Sequence, residues 1–292
     1  MKNNFNKGLI LTSLGSFWWG FIGVIFFESV SFIGHTELVV HRCLWTAIML
    51  ILTTSFLSKW NLFFKEIKDK KKLFALLVSG FLIFINWSIW IYAVASERII
   101  DASFGYFIMP IISVLLGYIF FKEKLNIKRI FSIILVLISL VILILFNLKA
   151  LPWVGIIVAF SWAFYNLIRK KIKIDTDIGL LIESLYIFPF ALIAFYFITK
   201  NNLNDFSLAN PGLSIYLLLA GPMTVIPLFL YVRGVELIGL GPTGMIFYIT
   251  PTLQFILGYF YYNEDFSIIK FLSFIIIWIA VVIYLKDLYE KN

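Results

Sequence analysis

The chain has 292 residues but only one cysteine, Cys43, and two histidines, His35 and His41. A single thiol excludes an internal disulfide framework, and so few soft ligands exclude a Cys/His zinc site, so neither metal nor cofactor is expected. Charge is scarce as well: charged residues make up 14%, against about a quarter in soluble domains. The sequence holds no G-x-x-x-x-G-K-S/T, H-E-x-x-H or G-x-S-x-G run, so ATP-driven pumping and the commonest hydrolase chemistries lack their parts. An enzyme is therefore not expected.

What fills the chain is apolar. Hydrophobic residues make up 62% and aromatics 19%, which excludes an ordinary soluble globular domain. Ten spans of about 20 residues would use about 200 positions and leave about nine per connection, with no room for a soluble catalytic domain. Breaking the apolar runs at charged and turn-forming clusters predicts helices near 8–27, 37–57, 73–96, 99–121, 127–146, 152–168, 178–199, 213–235, 241–261 and 267–285. The first run follows Lys2 and Lys7 as a signal peptide would, but Glu28 replaces a small-residue cleavage site. It reads as a retained span.

The net charge of +8 does not point to nucleic acid, because the basic residues cluster between apolar runs rather than along one polar face. With the N-terminus cytoplasmic, only Arg42, Arg98, Lys149, Lys200 and Lys270 fall toward the outer side, and the other 19 of the 24 Lys and Arg lie inside. The run 65–72, which resembles a nuclear-localisation patch, is interrupted by Glu66 and Asp69 and serves this topology. The expected location is a bacterial inner membrane with both termini cytoplasmic.

Sliding the sequence by 141 positions aligns 102–144 with 243–285 without a gap. Pro110 then meets Pro251, Gly117-Tyr118 meets Gly258-Tyr259, and Glu123 meets Glu264. A shift of 143 aligns 16–21 with 159–164, bringing Trp19 onto Trp162. Five helices are an odd number, so the second copy must enter the membrane from the opposite side. The expected fold is an all-α membrane protein of ten transmembrane helices in two inverted five-helix repeats, 8–146 and 152–285, forming one transmembrane domain. Secondary transporters use this arrangement and bind substrate near the midplane between the halves.

One motif misleads. GLGPTG at 239–244, with Glu264 about 20 residues on, spells the dinucleotide fingerprint. It joins two apolar spans instead of following a strand, so a tight glycine hairpin with Pro242 in the first turn of helix nine is expected.

Polar side chains in hydrocarbon are costly and should face the bundle interior or a wet cavity. Asn86 lies mid-span in helix three, either as a ligand or as one partner in an interhelical hydrogen bond, and its mate at 141 is Pro227. By symmetry the two are expected to face each other. Pro110, Pro251 and Pro227 are candidate hinges, the alternative being static kinks, and Gln254, one turn beyond Pro251, is a candidate substrate contact with the same ambiguity. Trp18, Trp19, Trp162, Tyr165, Tyr106 and Tyr248 could line a site by stacking and cation–π contact or could simply pack, with Trp19 and Trp162 favoured by their pairing. Glu183 and Arg233 are expected to snorkel near the inner surface. His41 and Arg42 lie at least a turn inside helix two on the outer side, within reach of Glu37. They are expected to act on substrate, the alternative being snorkelling, with Arg42 holding a carboxylate or phosphate, or Glu37 when empty.

The runs Glu37-Leu-Val-Val-His41-Arg42-Cys-Leu-Trp45-Thr46, Asn86-Trp87, Ala102 through Pro110 and Gly117 to Glu123 resemble those of the RarD-type permeases. These form part of the EamA branch of the drug/metabolite transporter superfamily. In the second half Gly221-Pro-Met-Thr224-Val-Ile-Pro227-Leu228 and Gly244 through Tyr248, Pro251 and Glu264 fit the same pattern, while Thr46 stands where serine is expected. The resemblance runs nearly end to end and implies two inverted repeats moving small organic solutes. The expected function is a permease for a small polar or amphipathic metabolite or drug, the alternatives being a passive pore or a membrane scaffold. A small-molecule substrate and the lipid bilayer are the expected partners, nucleic acid is not, and a homodimer is left open.

Overall fold

The computed structural model describes residues 2–95, 99–147, 153–261 and 268–290, all helical or connecting, with no strand among the described residues. Glu264, Arg98, Lys149 and Lys291, used above for repeat and charge arguments, lie outside the described residues. The first span is α1 (Lys2–Phe17), a π-helical turn (Trp18–Ile22) and α2 (Gly23–Ser29). Next come α3 (His35–Phe56), the short α4 (Trp60–Glu66), α5 (Lys70–Ala95), α6 (Ile99–Phe121) and α7 (Ile127–Asn147). The second half runs α8 (Trp153–Lys171), α9 (Thr176–Lys200), α10 (Pro211–Ile238), α11 (Leu240–Ile246), α12 (Ile249–Phe260) and α13 (Ile268–Glu290).

Among the described residues, seven helices are long and apolar enough to cross a membrane, from 3–29 to Phe271–Glu290, and Gly105–Phe121 is a shorter apolar helix. Exposure is inverted relative to a soluble protein. Phe56, Leu145 and Phe146 are exposed, while Ser79, Asn86, Arg169, Glu183 and Thr224 are buried. A hydrocarbon solvent demands that distribution, and the chain is a multi-pass membrane protein.

Helix pairing recurs in matched sets. α1 packs on α10 as α5 packs on α8, and α3 packs on α10 as α5 packs on α9. α3 also packs on α9, and α7 on α13. Gly80 and Gly221, 141 positions apart, each admit a helix of the opposite half: a Cβ on Gly80 would lie 3.2 Å from the Glu183 carbonyl, and one on Gly221 2.5 Å from that of Trp45. Small residues permit this closeness, and van der Waals packing holds helices together in lipid.

Three local features depart from the sequence reading. α4 arises from a segment read as loop, because Lys59, Lys65 and Glu66 mask its apolar residues Trp60, Leu62 and Phe63. The ninth span is broken between α11 and α12 at Phe247–Tyr248, so Pro251 occupies the first turn of α12, where its missing N–H is no loss. Its mate Pro110 instead lies inside the continuous α6, leaving the Tyr106 carbonyl without its i+4 donor. The two prolines thus have different local structures.

At 239–244, Gly239 takes φ +97°, a left-handed conformation that favours glycine. The Glu123 carboxylate accepts the N–H groups of Leu240 and Gly241 at 2.8 and 2.9 Å. The amides that a nucleotide phosphate would need are filled by the protein's own side chain.

Candidate functional site

A cavity with about 510 Å³ of empty space, open solvent at its mouth included, lies between the halves. The first span contributes Trp19, Gly23 and Phe27, α3 contributes Arg42, and α5 contributes Asn86, Trp87 and Trp90. Tyr106 of α6, Trp162 of α8, Phe247 after α11, and Thr250 and Gln254 of α12 complete the wall. The π-helical turn and the break in the ninth span meet at this wall, where the Thr250 hydroxyl donates to the Ser16 carbonyl at 2.9 Å. Such irregular backbone is tolerated at membrane depth where it lines a cavity.

Among the described residues Arg42 is the one charged residue of the wall. It lies seven residues into α3, about 10 Å along the helix from His35. Its guanidinium carbon sits 4.7 Å from the Phe27 ring centre and 4.8 Å from that of Trp87, and its Nε donates to Thr224 Oγ1 at 3.0 Å. Among the described residues no carboxylate comes within ion-pair distance of it. Two aromatic faces hold the cation by their quadrupoles, and the planar group stacks where an ammonium would not.

The expected Glu37–Arg42 pair is not formed. Glu37 Oε1 accepts the Asp205 N–H at 2.8 Å and stands 3.4 Å from His41 Nε2. His41 is fully buried away from the cavity, against Phe195 and Phe206. Its Nδ1 accepts from Trp45 Nε1 at 3.1 Å, so the neutral ring carries its proton on Nε2, toward Glu37. Successive residues on a helix diverge by about 100°, which sends Arg42 inward and His41 toward α9.

Asn86, Trp19, Trp162, Tyr106 and Gln254 are brought together at the cavity, whereas Tyr248 is not. Tyr248 is buried in a separate cluster with Tyr284 and Ile277, its hydroxyl on the Phe107 carbonyl. Pro110, Pro227 and Pro251 are also off the wall. Asn86 and Pro227 do not face each other: Asn86 Nδ2 donates to the Val158 carbonyl at 2.9 Å and to Ser161 Oγ at 3.1 Å, whereas Pro227 packs against Gly15 of α1. Val158 and Gly15 are 143 apart, so the mates make equivalent contacts on opposite flanks.

Beneath the wall, aromatic rings close one end. Trp162 meets Trp19 at 5.0 Å, Tyr231 at 5.4 Å and Tyr165 at 5.6 Å between centroids. Tyr165 lies about a turn nearer the Lys171 end of α8 than Trp162 of the wall, and Tyr231 about two turns nearer the Ile238 end of α10 than Thr224, which holds Arg42. Beyond them Glu183 is buried and does not snorkel: it accepts from Ser79 Oγ at 2.5 Å and from Tyr165 OH at 3.2 Å, with Arg169 Nη1 at 3.6 Å. Arg233 is partly exposed and pairs with Glu236 at 2.8 Å.

Sequence reasoning missed Phe27, Trp87, Trp90, Phe247, Thr224 and Thr250. Trp87, Thr224 and Phe247 stand inside runs that carried the family resemblance. The others had no mark distinguishing them among 32 Phe, 9 Trp and many threonines.

An all-helical membrane bundle with an aromatic, cation-bearing cavity between matched halves is the build of a membrane transporter. Residues 6–145 and 150–286 each match the EamA-like transporter family, and the chain belongs to it. It is 31% identical over 281 residues to Protein RarD of Escherichia coli K12, covering 96% of this chain and 94% of that one. It is also 31% identical to the uncharacterized transporter YojE of Bacillus subtilis, covering 95% and 93%. A solved crystal structure superposes with TM-score 0.70 over 96% of this chain and 97% of its own, at 11% identity, which speaks for the fold alone. The family and its named relatives point to a transporter rather than an enzyme.

Proposed function

We propose that the chain is a secondary transporter in a bacterial inner membrane, with both termini cytoplasmic. Ten spans in two inverted halves, 8–146 and 152–285, carry a small polar or amphipathic organic solute by alternating access. The observation that carries this reading is Arg42: a buried guanidinium on the cavity wall, held by ring faces and a hydroxyl, has no carboxylate counter-ion among the described residues. A buried cation without a partner is costly, and a carboxylate or phosphate on the solute would offset that cost with two parallel hydrogen bonds. The tryptophans around it accept the apolar remainder of the solute. The matched helix pairs support inverted halves, and the aromatic floor supports a carrier closed on one side over an open pore.

Proteoliposomes loaded with a panel of small organic acids test this directly. Efflux of labelled solute should saturate and should accelerate when unlabelled solute is present on the far side. Flux without that acceleration would make the chain a pore, and no flux across the panel would make it a scaffold.

A further inference from the structure

Arg169 lies one aromatic layer below the cavity floor and is completely buried. Its Nη1 stands 3.6 Å from Glu183 Oε1 and its Nη2 3.9 Å from Glu236 Oε1. Neither distance is a hydrogen bond. Nη2 donates to the Thr176 carbonyl at 3.0 Å, while Nε, Nη1 and Glu236 Oε1 have no hydrogen-bond partner. One guanidinium thus sits between two carboxylates, fully satisfied by neither.

Glu183 also bridges the halves. It holds Ser79 of α5 from the first half, at the point where Gly80 lets α5 approach the α9 backbone. Glu183 and Arg42 are 141 positions apart, as are the helix starts Thr176 and His35, so the repeat places an acid where its mate places the wall cation. The groups facing Glu183 are Tyr165 and Arg169 of α8 and Ser79 of α5, while α3 brings no ionisable group to it. Around Arg169 stand, in addition, Glu236 of α10, itself paired with Arg233, and Asp175 before α9.

We propose that Glu183 is a proton-binding site that couples proton uptake to opening of the inner side. The carboxylate takes one proton and becomes a neutral acid. Its charge-assisted bond from Ser79 and its attraction for Arg169 are lost, and Arg169 passes to the free oxygen of Glu236. The cluster of Glu183, Arg169, Glu236 and Arg233 goes from net zero to +1, shared by one carboxylate and two guanidinium groups. α9 then loses the stronger of its two side-chain ties to α5 among the described residues, the other being Tyr186 on the Leu73 carbonyl at 3.3 Å, and Tyr165, which stacks under Trp162, links this event to the floor of the cavity. The ion pair is incomplete, so Arg169 compensates the Glu183 charge only in part, which leaves a proton room to compete.

This rests on the alternating-access reading, and one reporter separates the two. Leu240, buried at the start of α11, is replaced by cysteine in a Cys43→Ala background. Methanethiosulfonate labelling in everted vesicles is followed from pH 8.5 to 5, normalised to the same cysteine in unfolded protein. Labelling should rise as pH falls, by up to about tenfold per pH unit, the limit for one proton. Glu183→Gln should label fast at every pH, and Glu183→Asp should keep the slope with a shifted midpoint. A flat profile with Glu183 intact, the same slope in Glu183→Gln, or an unshifted midpoint in Glu183→Asp overturns the proton site while leaving the opening in place. No labelling at any pH, in either protein, overturns the opening and the proton site with it.

Discussion

The hydroxyl of Tyr248 donates to the carbonyl of Phe107 at 2.9 Å, and the two residues stand 141 positions apart. That is the offset at which the chain repeats, so a residue touches its own mate. Such contact occurs only beside the axis that relates the copies. Tyr248→Phe removes this one bond from a site away from the cavity. It should lower stability by about 0.6 kcal/mol, and by no more than about 1.7. Thermal unfolding in detergent measures the loss, and solute affinity should stay unchanged.

Arg42 should be far less replaceable. Arg42→Lys keeps the charge but loses the fork and the stacking on Phe27 and Trp87. Losing a charge-assisted contact should weaken binding by about 1.5–3 kcal/mol, roughly ten- to a hundredfold, and Arg42→Ala by at least as much. Equilibrium binding to the purified variants is the measurement, and unaltered affinity in Arg42→Lys would return this side chain to packing alone.

The paired glycines give a graded test of close packing. A Cβ at Gly221 would press on the Trp45 backbone, whereas one at Gly80 meets Glu183 at an easier distance. Gly221→Ala should therefore destabilise by about 1–3 kcal/mol and Gly80→Ala by less. Equal unfolding temperatures for the two would show that α3 yields freely to α10.

The basic residues predict an orientation. Asn202 is exposed in the α9–α10 connection, on the side poor in Lys and Arg. In a Cys43-free background, Asn202→Cys should react with an impermeant maleimide on intact cells. Reaction only after lysis would invert the topology.

Helix placement was legible because apolar runs of membrane length leave little choice, and the bias in Lys and Arg followed from the same runs. Arg42, Asn86, Trp19 and Trp162 stood out because a polar group in lipid, or a tryptophan repeated in register, needs a reason. The break at Phe247–Tyr248 was not legible: nothing in hydropathy separates a kinked helix from two short ones when the residues on either side are equally apolar. Glu183 was misjudged for another reason. Its partner Arg169 belongs to a basic cluster whose evident role is topology, and only the packing of α8 on α5 and α10 carries that side chain inward to Thr176 and Glu183 of α9. Likewise, symmetry in sequence gave the mates of Asn86 and Pro227 but not whether mates meet or make parallel contacts on opposite flanks.

The π-helical turn at Trp18–Ile22 has a meaning for the history of the chain. Such a turn holds one residue more than an α turn, and its counterpart in α8 is regular. As far as Phe21, inside the turn, the halves align at an offset of 143, and farther along at 141. An extra residue in the first copy lowers the offset by one, so an insertion at the end of the turn, after Phe21, accounts for one of those two steps. An insertion that would have rotated the rest of the helix by about 100° was instead looped out locally. The duplicated halves could therefore diverge in length without either losing the face it turns to the other.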